Sequence, residues 1–338
     1  NVMTPDPKYV AGDAARMRVD VGTIDIETVG DALITGIETG NGTESAIRVV
    51  STAGRILDNG DTRLDIIADT GPAAKLTISG AKGIGDNQLD TRLLNLQATS
   101  GGVVDIDVQN GVNIIGISAG DRVMLTAGGD ITGESVTSTG TGETNPDKSV
   151  LITSATGGVY LASVSGTSDV AVSGQTGVAL DGLTSTGGSI AASSAGGNVE
   201  VGRTTAERNV TFSAPTGSVS ADSSTAGGTF TASAARSVDV GTVTANSVVL
   251  SAKDNITADT LNLGSSLQLA GSIIDARVNG GANPITGSVT GIGGAPANSV
   301  NLILSGPGGF DFVNFIARTA SVNIPLGTFS IDNAIILD

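Results

Sequence analysis

The chain has 338 residues, of which 49 are glycine and none is cysteine, histidine or tryptophan. The missing histidine and cysteine exclude Ser-His-Asp and Cys-His catalysis, and zinc sites built on these ligands. The net charge of −16, with the few lysines and arginines scattered, makes nucleic acid and anionic membrane surfaces poor partners.

Short apolar strands run through residues 1–119 without a fixed spacing. Residues 47–49 (Ile-Arg-Val), 76–78 (Leu-Thr-Ile) and 104–106 (Val-Asp-Ile) alternate apolar and polar side chains. This alternation is the pattern of a strand with one buried face. We expect irregular turns of a β-solenoid in this segment.

Residues 120–281 repeat one phrase eight times. The phrases are separated by 27, 20, 20, 20, 20, 18 and 19 residues and begin at Val123, Val150, Val170, Ile190, Val210, Phe230, Val248 and Leu267. A period near twenty residues indicates a solenoid.

Each phrase predicts three short strands and three corners, and the second strand begins about nine residues after the first in most copies. These second strands begin at Ile131, Val159, Val178, Val199, Val219, Val238, Ile256 and Ile274. Phrases rich in Ser, Thr and Gly are poor helix formers, and propeller blades need about forty residues. The repeat therefore predicts an all-β parallel β-helix with about 20 residues per turn.

The last segment, residues 282–338, carries a Gly/Pro-rich stretch and then longer strands. Four of the six phenylalanines lie here, namely Phe310, Phe312, Phe315 and Phe329. We expect a wider or capping turn of the same solenoid, with an exposed binding patch as the alternative. No linker separates the three segments 1–119, 120–281 and 282–338.

The ends and the lack of cysteine suggest an exported fragment. Asn1 is not an initiator methionine, residues 334–337 read as a strand, and no apolar run approaches a membrane span. We therefore expect part of a longer protein, without direct membrane insertion. Absence of cysteine fits a bacterial protein that crosses membranes unfolded.

Three stretches resemble the repeats of filamentous-haemagglutinin-like exoproteins. They are VMLTAGGDIT at 123–132, VLSAKDNIT at 249–257 and LTISGAKGIG at 76–85. The resemblance extends over residues 33–269. It implies a right-handed parallel β-helix, export by two-partner secretion through an outer-membrane exporter, and display at the bacterial cell surface as a stalk or filament.

An enzymatic interpretation requires clustered carboxylates beside an aromatic-lined cleft, as in β-helical polysaccharide lyases and hydrolases. The acidic residues most alike in register are Asp130, Asp239 and Asp254, and Tyr160 is the only aromatic in the early repeats. We therefore expect no catalytic residue and no cofactor.

The first repeat is seven residues longer than its successors, with the extra residues around 138–148. This loop carries Glu143, Asn145 and Asp147, and Glu134 lies just upstream. A loop that projects from a regular rod is where binding function usually resides. We favour a plain solvated loop, and partner contact or a cation site remain alternatives.

Thr-x-Thr pairs occur at 137/139, 184/186 and 242/244. Stacked outward threonines on a flat β-helix face can order water, as in ice-binding proteins. Because intervening repeats break the pair, we predict that no continuous ladder forms and that these threonines are ordinary outward strand residues.

These patterns favour a structural and adhesive rod of a bacterial surface filament, in contact with host, neighbouring cell or biofilm. Its expected partners are protein or glycan surfaces, copies of itself, or the exporter. One alternative is a β-helical carbohydrate-active enzyme or carbohydrate-binding module. Another is a self-assembling extracellular filament subunit.

Overall fold

The structure, a computed structural model, describes residues 17–60, 62–140 and 149–336. It confirms the predicted fold class, an all-β solenoid of parallel strands with about 16 turns of roughly 20 residues each. The chain divides into two compact units, Asn1–Ser168 and Asp169–Asp338. The segment boundaries predicted after residues 119 and 281 stay predictions.

Unit 1 is built in its described part from short strands, most of them three to eight residues long. They are β1 Met17–Val19, β2 Ile24–Thr28, β3 Ala32–Ile34, β4 Ile37–Thr39, β5 Ile47–Ser51, β6 Arg55–Asp58, β7 Ile66–Ala68, β8 Lys75–Gly80, β9 Gly83–Leu93, β10 Asn95–Ser100, β11 Val103–Val108, β12 Val112–Ala119, β13 Val123–Ala127, β14 Ile131–Ser138, β15 Val150–Ser154 and β16 Val159–Gly166.

Unit 2 begins with the same short strands and continues with longer ones that turn corners without leaving the sheet. They are β17 Val170–Gly174, β18 Val178–Ser185, β19 Ile190–Ser194, β20 Val199–Ala206, β21 Val210–Ala214, β22 Val219–Ala234, β23 Val238–Ala252, β24 Asn255–Ala270, β25 Ile273–Gly280, β26 Ile285–Thr290, β27 Ala297–Ser305, β28 Phe310–Leu326 and β29 Phe329–Ile336. A 3-10 helix spans Ile292–Gly294.

Within each unit, a strand pairs in parallel with the equivalent strand of the next coil. In unit 1, Val123 lies beside Val150 and Ile131 beside Val159. Because identical positions face each other, apolar residues form continuous buried columns and the backbone bonds run from coil to coil. These strands begin at the residues that the repeat predicted.

The predicted second and third strands of a repeat are one strand with a bend. In β16, Ala162 and Ser163 both face outward, whereas Leu161 before them and Val164 after them are buried. Two consecutive outward residues turn the chain while the ladder continues. The third corner is therefore a bend. The coils formed by β13 to β21 have two strands rather than three, and β22, β23 and β24 each run through most of a coil as one strand.

The bore of unit 2 is filled by large and small residues in alternation. Phe212 is fully buried and stacks between Ala192 and Ala232 of the adjacent coils. Its ring meets the ring of Phe230 edge to face, with centroids 5.6 Å apart. A phenylalanine therefore fits where its stacking neighbours are alanines.

Three of the four phenylalanines of the last segment belong to the core. Phe310, Phe312 and Phe315 are 2%, 0% and 1% exposed. The ring of Phe312 meets that of Phe329 edge to face at 5.5 Å. The alternative of an exposed aromatic patch is wrong for these three side chains.

No helix in the described part of the chain has the length and apolar character needed to cross a membrane.

Candidate functional site

The structure places one of the four predicted contact residues. Glu134 is exposed on β14, directly after Gly133, whose φ is +128°. A Cβ on Gly133 would lie 2.1 Å from the carbonyl oxygen of Ile114 in the coil below, so the bend that presents Glu134 requires glycine. Glu143, Asn145 and Asp147 lie outside the described residues.

The cation alternative finds no ligand set in the described ranges. Residues 17–60, 62–140 and 149–336 contain no group of three or more acidic side chains placed to hold a metal ion. Glu134 therefore belongs to no such group there.

Asp130, considered above as a catalytic carboxylate, joins two coils. Its Oδ1 accepts a hydrogen bond from the backbone N–H of Gly158, at 2.7 Å. Asp239 is exposed on β23 and stacks between Ser220 and Thr257, whereas the backbone of Asp254 bonds to Arg236 at a corner. Asp239 and Asp254 thus occupy different positions in their coils.

The contact made by Asp130 recurs at the corners of both units. In each case an Asp or Asn that directly precedes a strand accepts a backbone N–H bond from the next coil. The pairs are Asp31 with Arg55, Asp130 with Gly158, Asp169 with Ser189, Asn198 with Ser218 and Asn209 with Thr229, at 2.6 to 3.0 Å. The sequence signal is Asp or Asn before the first apolar residue of a strand, and sequence reasoning missed it.

Buried serines at strand ends form a second device that sequence reasoning missed. Their Oγ atoms accept the backbone N–H of a glycine three residues later, at 3.0 Å. The pairs are Ser51 with Gly54, Ser154 with Gly157, Ser185 with Gly188 and Ser194 with Gly197. The sequence pattern Ser-x-x-Gly could have predicted these corners, because a serine side chain can bond to a backbone N–H three residues later.

Three carboxyl groups of unit 1 are buried, two of which, those of Asp65 and Asp105, stand where the alternating pattern predicts outward side chains. Asp58, Asp65 and Asp105 are 5%, 1% and 6% exposed. Burial, reinforced by the charge of Asp58, raises the pKa of Asp65 to about 8. Burial also raises the pKa of Asp105 to about 6, against the opposing attraction of Arg122.

The prediction that Asp105 faces outward is wrong because of an insertion in the coil below. Val104 pairs with Ile84 and Ile106 pairs with Leu89, so residues 85–88 oppose Asp105 alone. The bulge turns back over this position, and Gln88 adopts a φ of +68°. A wide bulge in β9 thus encloses a carboxyl group on β11.

No continuous ladder of Thr-x-Thr pairs forms, but single threonines from four coils stack in one column. Thr184, Thr205, Thr225 and Thr244 stack in direct register in unit 2. Variable corner lengths hide this column in the sequence, while strand pairing restores it. The neighbouring column contains Gly182 and Arg203, so a regular Thr-x-Thr surface does not result.

A shallow depression of about 330 Å³ lies on the surface of unit 1. Its lining residues are Glu44, Pro72, Ala73, Lys75, Asn95 and Ile115. Asn95 is already engaged, because its Nδ2 donates to the carbonyl oxygens of Pro72 and Ala74 at 2.9 and 3.0 Å. The lining contains no aromatic ring on which a sugar would stack.

Comparison with known proteins finds no matching family model, no matching curated protein and no matching solved structure.

Proposed function

We propose that this chain is part of a structural and adhesive rod of a bacterial cell-surface filament. Its role is reach, stiffness and contact with protein or glycan surfaces outside the cell. The finer assignment, to filamentous-haemagglutinin-like adhesins exported by two-partner secretion, rests on the resemblance of the repeats.

The observation that carries the proposal is the use of polar side chains to fasten successive coils. The acidic and amide residues at corners are bonded to backbone N–H groups of the next coil, as Asp130 is to Gly158. A chain whose corner residues hold coils together is suited to bearing load along the stack. A catalytic site would instead group such residues around a cleft.

The aromatic residues support the same proposal. Phe212, Phe230, Phe312 and Phe315 are buried in the described core, and Tyr160 is the described aromatic with the largest exposure, 41%. β-helical enzymes and binding modules that grip sugars use aromatic platforms. Polar columns such as Thr184, Thr205, Thr225 and Thr244 stack from coil to coil in unit 2.

The repeat motif has a structural meaning that fits a stalk. In VMLTAGGDIT, Val123, Leu125 and Ala127 face the core, and Asp130 fastens the corner. A Cβ on Gly128 would lie 2.1 Å from the carbonyl oxygen of Gln109, so this corner stacks closely on the previous one. The motif therefore forms one strand and one corner that packs closely on the preceding coil.

The proposal is tested by adhesion of beads coated with the chain. Surfaces carry mucin-type glycans, an extracellular matrix protein, or the chain itself. We expect bead retention under flow on at least one of these surfaces, and none for beads coated with an inert protein. Equal loss from all surfaces would overturn the adhesive part of the proposal.

Two variants separate the long-turn loop from the rest of the surface. The first combines Glu134→Gln, Glu143→Gln, Asn145→Ala and Asp147→Asn, and the matched control combines Glu200→Gln and Glu207→Gln, two exposed residues of unit 2. If the loop makes the contact, the first variant loses retention and the control keeps it. Equal retention of both variants places the contact elsewhere.

A further inference from the structure

Two buried carboxyl groups of unit 1 are brought to one corner by strand register. Asp58 ends β6 and stacks on Ile34 of the coil below. Asp65 precedes β7, and its carbonyl oxygen accepts the N–H of Ile37, so it stacks over Gly36. Positions 34 and 36 are two residues apart on the same corner. Asp58 and Asp65 therefore lie at the same corner of unit 1.

The bonds of the two carboxyl groups leave one oxygen without a donor. Asp58 Oδ2 accepts the N–H of Gly60 at 2.7 Å, and Asp65 Oδ2 accepts the N–H of Asp90 at 3.1 Å. Asp58 Oδ1 is buried and has no hydrogen-bond partner in the described residues. Asp58 lies close enough for its charge to act on the carboxyl group of Asp65.

Further acidic groups surround the pair. Asp90 on β9 stacks on Asp65, and Asp107 on β11 stacks on Asp90. From the coil below, Glu38 on β4 pairs with Arg18 at 3.7 Å.

Two arginines lie in this part of unit 1, and each has an interaction partner. Arg92 on β9 pairs with Asp69 at 2.6 Å. Arg63 lies in the loop between Asp58 and Asp65. Two ionised carboxylates buried at one corner, 5% and 1% exposed, repel each other strongly unless one of them is neutralised.

We propose that Asp58 and Asp65 hold one proton between them in the folded chain, and that its loss in alkaline solution opens this corner of unit 1. Protonated Asp65 donates its O–H to Asp58 Oδ1, which gives the orphaned oxygen a partner. Deprotonation leaves two buried charges at the same corner. The corner then separates, together with the bonds to Gly60 and Asp90.

The sign of the pH dependence follows from the raised pKa. Burial and the charge of Asp58 raise the pKa of Asp65 from 3.8 to about 8. The folded state therefore keeps a proton that the unfolded state has released, and stability falls as the pH rises through this window. The stabilising contribution is complete below pH 3.8 and is lost by about pH 8.

Hydrogen exchange at the backbone amides of Gly60 and Asp90 tests the proposal locally. After correction for the intrinsic exchange rate, we expect protection of both amides to fall about a hundredfold between pH 6 and pH 9, because two pH units separate pH 6 from the titration. The exposed-site control Asp181→Asn keeps this fall. Asp65→Asn abolishes it, because an amide donates the same bond without titrating.

Each other outcome contradicts the proposal. If protection in the unaltered chain does not depend on pH, the two carboxyl groups share no proton. The same conclusion follows if protection falls equally in Asp65→Asn. If calcium chloride restores protection at pH 9, the two carboxyl groups bind a cation instead of a proton. If Asp65→Asn does not fold, Asp58→Asn replaces it, since its amide donates toward Asp65 from the other side.

Discussion

The Oδ1 atom of Asp130 lies 2.7 Å from the backbone nitrogen of Gly158, so an acidic side chain at one coil corner fastens the backbone of the next coil. Gly158 is buried, whereas Asp130 is exposed. The relationship explains why Asp stands in the GGD segment of the repeat: the carboxylate supplies an acceptor where strand pairing has not yet begun.

The first prediction concerns this bond. Asp130→Ala removes the acceptor and leaves a buried N–H unpaired, which costs about 1–2 kcal/mol of unfolding free energy. Asp130→Asn retains the acceptor, and Asn198 and Asn209 make the same bond naturally in unit 2. Urea unfolding of both variants checks this. If Asp130→Asn loses as much unfolding free energy as Asp130→Ala, the charge of Asp130 matters and the hydrogen bond does not.

The second prediction concerns close stacking at a corner. A Cβ on Gly197 would lie 1.7 Å from the carbonyl oxygen of Thr176 in the coil below, whereas nothing lies within 4 Å of a Cβ on Gly281. Gly197→Ala therefore forces the coils apart at a cost of about 2–3 kcal/mol. Gly281→Ala is neutral or slightly stabilising. Thermal unfolding of both variants in parallel separates the steric effect from the general effect of losing a glycine.

The third prediction concerns the bore of unit 2. Phe212→Ala creates a column of three alanines at positions 192, 212 and 232, and leaves a cavity that costs about 3–5 kcal/mol. Phe212→Leu retains more volume and costs less. Combining each change with Phe230→Leu in a double-mutant cycle measures the edge-to-face contact. Additive effects would contradict a direct interaction between the two rings.

The fourth prediction concerns Asp105. Its pKa is raised by burial to about 6, above its ordinary value of 3.8. The folded state holds the proton more tightly, so unfolding free energy falls on the order of 2–3 kcal/mol as the pH rises from 4 to 6.

The matched variant for this effect is Asp105→Asn, which keeps the shape and does not titrate. We expect the pH dependence between pH 4 and pH 6 to weaken in this variant, as measured by urea unfolding at several pH values. An unchanged slope would mean that Asp105 ionises freely in the folded chain.

The strands were predictable because parallel coils place equivalent residues beside each other. Val150, Val170 and Ile190 each begin a strand where the repeat indicates. Alternation fails where coils differ in length, because the bulge at 85–88 buries Asp105 on β11. Whether such a side chain is buried depends on the coil with which its strand pairs. The sequence around the residue does not contain this information.

The corner and column features were hidden for a related reason. Asn198 and Asn209 are ordinary turn residues in the sequence, and their second role depends on which backbone N–H the next coil presents. Thr205 and Thr225 belong to one column only after strands are aligned across corners. Of the predicted contact residues, Glu134 is exposed on a strand, while the partner contact itself stays a prediction.

The measurement that tests the surface-rod proposal most directly is antibody labelling of intact cells of the source organism, compared with permeabilised cells. An antibody against the purified chain is viewed with gold particles in the electron microscope. The proposal predicts equal labelling of intact and permeabilised cells, with particles along filaments that extend from the envelope. Labelling confined to the interior of permeabilised cells would contradict it.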